Sequence, residues 1–302
     1  MDEHVRLESI NALEKIGSNQ AVHALSQCLK DVSEFNRRRA VEVLGRFISE
    51  ETLHTLSKGL HDRAESVRIA AARALSKFPD PMVVDHLIGA VHDTSLEVRQ
   101  MVLESLGKVG NKKAVPAVIE MLEDTDTRVR QASIRVLGVL NEMECVVPLL
   151  KVMSDQNEWV RNDAIDVLKN FGVDAWDGLL QALNHNDETI QENAIEVLSQ
   201  IDDRRLLQRL MKVLTSRFKL MRANGATVLG KLGDKNSVVP LIQLLEDRDF
   251  EVREKAAQAL GDIKDLGATL SLRDAMHDPN KEVRLAARAS LDSIRSASQG
   301  SL

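Results

Sequence analysis

An arginine that returns every 31 residues constrains this chain more than any other feature. The series runs Arg6, Arg37, Arg68, Arg99, Arg130, Arg161, Arg222, Arg253 and Arg284, with Gln191 in the place of a tenth Arg. Every spacing is 31 residues except one of 30, between Arg161 and Gln191. A register held over so much of 302 residues means a repeat array, in which each unit packs on its neighbours rather than around one central core.

Columns around this anchor give the unit its structure. Seven residues after it stands Leu in every copy, from Leu13 and Leu44 to Leu260 and Leu291. Three after it the residue is small in nearly every copy, as in Ala40, Ala71, Ala164 and Gly225, and ten after it the residue is apolar, as in Ile16, Phe47 and Phe171. These offsets share one face of an α-helix, here called helix B, and the small residue lets a neighbouring helix come close. A second helix, helix A, precedes the anchor, with apolar residues four apart such as Leu25 and Leu29, or Val118 and Leu122. Pro116, Pro148 and Pro240 fall in its first turn, where a missing N–H costs little. Ser33, Ser95, Asp126, Asn157, Asp187, Asp249 and Asn280 stand where the N-cap of helix B is expected. Gly17, Gly110, Gly172 and Gly233 mark the turn to the next unit.

The expected fold class is therefore all-α, an α–α superhelix of about nine helix pairs plus a single N-terminal helix B. Residues 1–296 read as one solenoid, with an irregular seam near 172–222, and 297–302 as a disordered tail. Arg273 and Arg288 sit in columns that are apolar elsewhere, which suits a terminal cap. The lone first helix is either an N-terminal cap or the start of a segment inside a longer protein.

The pattern resembles HEAT repeats, specifically the short subclass found in phycobilisome-lyase-like (E–Z type) proteins. The residues that carry the resemblance are a turn Asp and the Arg six later: Asp31 and Arg37, Asp62 and Arg68, Asp93 and Arg99, Asp124 and Arg130, Asp155 and Arg161, Asp247 and Arg253, Asp278 and Arg284. The resemblance implies that these side chains form a ladder of charge-assisted hydrogen bonds through the stack, because a semi-buried guanidinium requires a carboxylate held in fixed geometry. It also implies a binding surface lined by the helices B, the concave side of such folds.

Chemistry is not written into the chain. No Gly-rich phosphate loop, nucleophile elbow or paired metal-ligating His motif occurs, and Cys28 and Cys145 form no CxxC. Deoxyhypusine hydroxylase, a HEAT-repeat enzyme, holds iron through His-Glu dipeptides, and this sequence contains none. No catalytic residue, metal site or cofactor is expected. The net charge of −6 argues against nucleic acid as partner, and the acidic, polar start and the absence of a long apolar run argue against a signal peptide or membrane span, so a cytoplasmic protein is expected.

Two places stand out as candidate binding sites. Around residues 172–222 the rules break together: Gln191 replaces the ladder Arg, while His185 and Ser216 replace ladder Asp. There Arg204, Arg205, Arg209, Lys212, Arg217, Lys219 and Arg222 make the most basic stretch of an acidic chain. Trp159 and Leu220 add apolar side chains in a column that is mostly polar, whereas Trp176 falls in an apolar column. Aromatic residues beside basic ones are typical of binding hot spots. The seam is also expected to bend the stack. The second place is the run Arg37–Arg38–Arg39, in which Arg38 and Arg39 are expected to face outward, with Glu42 one turn from Arg38 as its ion-pair partner. The outward positions of helix B alternate in sign, through Glu42, Arg73, Glu104, Arg135, Asp166 and Glu196, a pattern that suits a protein partner better than a phosphate backbone. The function expected is a non-enzymatic scaffold or adaptor that binds another protein on the helix-B surface. The alternative implied by the resemblance is a bilin lyase subunit or phycobiliprotein-handling factor, which would hold a bilin. A DNA-binding HEAT-like glycosylase is a third class, opposed by the charge.

Overall fold

A computed structural model describes residues 2–78, 81–173 and 175–299. Among them are nineteen α-helices and no strand. The helices A are α2 (Asn19–Cys28), α4 (Glu50–Gly59), α6 (Met82–Ile88), α8 (Val115–Glu120), α10 (Val146–Val152), α12 (Trp176–Ala182), α14 (Arg204–Val213), α16 (Val238–Leu244) and α18 (Thr269–Ala275). The helices B are α1 (Glu3–Ile16), α3 (Glu34–Leu44), α5 (Glu65–Leu75), α7 (Leu96–Val109), α9 (Thr127–Leu140), α11 (Glu158–Lys169), α13 (Glu188–Leu198), α15 (Lys219–Leu232), α17 (Phe250–Ile263) and α19 (Lys281–Gln299). The order is the expected one: one helix B, then nine pairs. The last helix runs to Gln299, so the stretch expected as a tail is helical from residue 297 to 299, and residues 300–302 lie outside the described residues.

The chain divides into two compact units. One holds residues 1–145 and 156–163, the other 146–155 and 164–302. In the first, α3 packs on α5, α5 on α7 and α7 on α9; in the second, α13 packs on α15, α15 on α17 and α17 on α19. Each unit is a stack of helices B lined on one side by helices A.

The core is built from the repeat columns. The Leu seven residues after the anchor is fully buried at Leu44, Leu75, Leu106, Leu137, Leu168, Leu198, Leu229 and Leu260, and half-buried at Leu13 and Leu291. Burying one such side chain contributes about 2 kcal/mol, so each repeat adds its own increment to the stack. A second close approach lies eight residues after the anchor, which the sequence columns above leave out. A Cβ on Gly45 would stand 2.7 Å from that of Ala74, one on Gly230 2.7 Å from the Ala259 Cα, and one on Gly261 2.6 Å from the Ser290 Cβ. At these positions helix B meets the next helix B backbone to side chain, and glycine is required because there is no room for more.

Turns follow the expected chemistry with three departures. Ser33, Ser95, Asp126 and Asp187 cap helices B by accepting backbone N–H bonds, while the Asp249 carboxylate is drawn away to Arg222. Gly17, Gly110 and Gly233 adopt the left-handed conformation at the ends of α1, α7 and α15, but at the ends of α9 and α17 the same conformation falls to Asn141 and Lys264. Gly172 stands beyond the end of α11, which stops earlier than those helices, at Lys169.

Candidate functional site

The Arg–Asp ladder is present, and its connectivity is specific. Six of the arginines each form two parallel hydrogen bonds to the carboxylate 25 residues ahead, in the turn of the following repeat. Nε meets Oδ2 at 2.7 Å in Arg6–Asp31, Arg37–Asp62, Arg68–Asp93, Arg99–Asp124, Arg222–Asp247 and Arg253–Asp278. The third nitrogen, Nη1, donates backward to the backbone carbonyl six residues earlier, at 2.7–3.0 Å in Arg37, Arg68, Arg99, Arg130, Arg253 and Arg284. Arg161 Nη1 donates to the Gln156 carbonyl, five residues earlier, at 3.2 Å, as Arg37 does to the Val32 carbonyl at 3.3 Å. The Asp and Arg of one repeat are thus joined through a backbone carbonyl, and the carboxylate serves the preceding repeat. That carboxylate also accepts the N–H two residues on, as Asp62 does from Ala64 at 2.8 Å. Planar guanidinium supplies the fork this arrangement needs, and lysine could not. The Arg6 guanidinium holds the Asp31 carboxyl down to about 2. Arg253 likewise lowers Asp278, and at Asp62 burial pushes the carboxyl up but is outweighed by the Arg37 and Ala64 hydrogen bonds together with the charges of Arg37 and Arg63.

In the irregular stretch the ladder changes chemistry. Gln191 Nε2 takes over the backward bond, donating to the His185 carbonyl at 2.7 Å. His185 Nδ1 and Ser216 Oγ replace the Asp carboxylate as acceptors of the turn N–H groups of Asp187 and Phe218. Asn224 donates to Gln191 Oε1 and to the Leu183 carbonyl, both at 2.8 Å, and Asn193 donates to the Leu150 carbonyl at 2.9 Å. Neutral amides thus fill a gap left by charges. Arg222, which resumes the charged ladder, binds both Asp247 and Asp249.

The basic stretch is mostly neutralised by pairing. Arg205 binds Asp203 at 2.7 Å and lies over the Trp176 ring, Arg209 pairs with Asp177, and Lys219 binds Glu251 at 2.6 Å. Trp176 is buried, with Nε1 lacking a hydrogen-bond partner. Trp159 is 72% exposed and belongs to the first unit, whereas half-buried Leu220, Arg205 and Arg209 belong to the second.

The run at Arg37 separates into three roles. Arg37 is a ladder residue. Arg39 reaches back to α1, to Asn11 at 3.0 Å and Glu14 at 2.5 Å, and is half-buried rather than outward. Its position two residues after the anchor turns it toward the preceding helix B. Arg38 is half-buried, over the Phe35 ring and 3.5 Å from Glu42, with its Nε buried and lacking a hydrogen-bond partner.

Three pairs of neighbouring helices B leave grooves in a common register. Arg38, Glu42 and Arg46 face Ile69, Arg73 and Lys77 across a groove of about 390 Å³ between α3 and α5. Between α7 and α9, Glu104, Lys108, Arg135, Val136 and Val139 line one of about 350 Å³. In the second unit, Glu254, Asp262, Glu282 and Leu285 line one of about 400 Å³ between α17 and α19. The first is basic, the second mixed and the third acidic, where burial raises the Asp262 carboxyl. Among the described residues, no group of three or more His, Cys, Asp or Glu is placed to hold a metal ion, and no helix is long and apolar enough to cross a membrane.

Comparison with known proteins gives a consistent picture of the fold. A family model described as HEAT repeats matches residues 24–97, 89–169, 146–217 and 207–292, and one described as PBS lyase HEAT-like repeat matches residues 5–31. A search of the curated proteins finds no match. Among solved structures, Kap121p bound to Nup53p is similar at TM-score 0.54 and 14% identity, over 98% of this chain and 40% of that one. The karyopherin Kap121p bound to the extreme C-terminus of the protein phosphatase Cdc14p is similar at TM-score 0.51 and 14% identity, over 93% and 38%. Human deoxyhypusine hydroxylase is similar at TM-score 0.38 and 20% identity, over 94% and 99%.

Proposed function

The chain belongs to the HEAT-repeat family, and from that premise we propose that it is a non-enzymatic scaffold that binds another protein along its helix-B surface. The observation that carries this reading is the recurring groove: three pairs of neighbouring helices B leave one in the same register, and its lining differs in charge among the three. A surface of that kind selects a partner by matching charges at several points, which gives specificity more than raw affinity. The ladder meanwhile uses its charges internally, so the grooves are free to vary without cost to the stack. Kap121p, similar in fold, holds Nup53p and the C-terminus of Cdc14p, and a protein segment is the class of ligand proposed for this chain.

The test is site-specific photocrosslinking in the native cell. A benzophenone side chain at Arg135, in a helix-B groove, is expected to capture discrete partners, and the same group at exposed Lys58 on helix A is not. Equal crosslinking from both positions, or none from Arg135 and from other groove positions, would remove the reading.

A further inference from the structure

We infer that the groove between α3 and α5 takes a carboxylate-rich, partly apolar segment of the partner protein. This rests on the scaffold reading and adds the chemistry of the ligand. Five cations line or rim the groove: Arg38, Arg39, Arg46, Arg73 and Lys77. Two carboxylates face three of them. Glu14, from α1, pairs with both Arg39 and Arg46, each at 2.5 Å. Glu42 stands 3.5 Å from Arg38 and 3.8 Å from Arg39, beyond good hydrogen-bond range. Among the described residues no carboxylate pairs with Arg73 or Lys77, and both are exposed. The site therefore carries three more positive than negative charges, in a chain whose net charge is −6.

The groove floor is apolar, formed by Ile69, Ala70 and Ala74, and exposed Phe35 lies beneath the Arg38 guanidinium at 5.1 Å from the ring centre. A floor of this kind accepts a short aliphatic side chain while the rim guanidiniums fork carboxylates on either side of it. A volume of about 390 Å³ admits a few side chains, not a duplex. The groove between α7 and α9, in the same unit, differs: Glu104 stands on its rim beside Lys108 and Arg135. A phosphate backbone needs cations at regular intervals along its length. A peptide needs them only once.

The experiment uses the full chain and a short fluorescein-labelled peptide of alternating Glu and Leu, with binding followed by fluorescence anisotropy. The expected result is salt-sensitive binding that Arg73→Glu with Lys77→Glu weakens on the order of tenfold or more, and that a Gln–Leu peptide does not reproduce. Both substituted side chains are exposed and outside the ladder, so circular dichroism should be unchanged; the milder Arg73→Ala with Lys77→Ala pair is expected to weaken binding less. Equal binding by the charge-reversed protein, or equal binding of the Gln–Leu peptide, would overturn the inference. So would displacement of the peptide by duplex DNA at lower concentration than by unlabelled peptide. If crosslinking at Arg135 captures partners while the Glu–Leu peptide does not bind, the scaffold reading survives and this groove assignment falls. If the peptide binds while no groove position crosslinks in the cell, the groove chemistry stands and the scaffold reading falls.

Discussion

Arg37 and Asp62 lie 25 residues apart and make two parallel hydrogen bonds, of 2.7 and 2.9 Å, while the same guanidinium bonds the Asp31 carbonyl behind it at 2.9 Å. Arg37 is 4% exposed. Replacing it by Ala leaves the Asp62 carboxylate with only the Ala64 N–H and takes the guanidinium donor from the Asp31 carbonyl, and losing one partner of a buried pair costs about 3 kcal/mol. Arg37→Lys should recover little, because one ammonium cannot reach both acceptors in the geometry of a fork. Urea unfolding followed by circular dichroism checks both. Equal midpoints for wild type and Arg37→Ala would mean that the ladder does not stabilise the stack.

Acid should loosen the ladder in a defined window. The Asp31 carboxyl is held at about 2 by Arg6, against about 3.9 in an unfolded chain. A depressed folded pKa means that the unfolded state binds the extra proton first, so the stability is fully present above the unfolded value and lost as pH falls through the folded one. The Asp278 carboxyl, lowered by Arg253, adds in the same direction. Carboxyl titration by NMR should place Asp31 near 2 in the native protein and back near the ordinary value in Arg6→Gln, whose stability should vary less between pH 4 and pH 2, a window set by these carboxylate values.

Glycines of the helix-B contact should tolerate nothing larger. In Gly230→Ala the new Cβ would meet the Ala259 Cα at 2.7 Å, and overpacking of this kind costs about 1–3 kcal/mol. Gly89→Ala is the control: its Cβ meets nothing closer than the His86 carbonyl at 3.5 Å, and the backbone is right-handed, so that change should be neutral or mildly stabilising. Thermal melts of the two variants decide the point, and equal shifts would contradict it.

The amide segment of the ladder should be convertible. Gln191→Arg alone sets guanidinium N–H groups against the Asn224 amide, and Ser216→Asp alone adds a carboxylate with no guanidinium facing it. Each single change should destabilise by about 1 kcal/mol, and the double variant should recover, with a favourable coupling of about 1 kcal/mol or more. Additive effects in the cycle would show that the two positions do not face each other as Arg37 and Asp62 do.

The period, the two helices, the caps at Ser33 and Asp187 and the left-handed turn at Gly110 were legible because each depends on local chemistry a few residues wide. The choice of partner for each ladder arginine was not. The Asp column recurs with the same period as the Arg column, so spacing alone does not distinguish the carboxylate six residues behind from the one 25 ahead, and only packing does. For the same reason Arg39 read as outward-facing, when the preceding helix supplies Asn11 and Glu14 to draw it in. The amide substitution had a visible signal, Gln191, Asn193 and Asn224 together in one stretch, as did the glycines at 45, 107, 230 and 261 that share one column. The binding grooves left the faintest trace, because exposed positions obey no packing rule and their charges repeat nothing.

The forward reach of the arginine also orders events in time. During synthesis the chain leaves the ribosome from its N-terminus, and domains and repeats begin to fold as they emerge. When the segment carrying Arg68 has emerged, its backward bond to the Asp62 carbonyl can close at once, but its carboxylate partner, Asp93, is still 25 residues away in the tunnel or at the exit. Each new turn therefore arrives at a guanidinium already held in place to receive it. Assembly can proceed like a zip driven from one end, with each unit clasped by the next as it appears, and no contact has to wait for the chain to be finished.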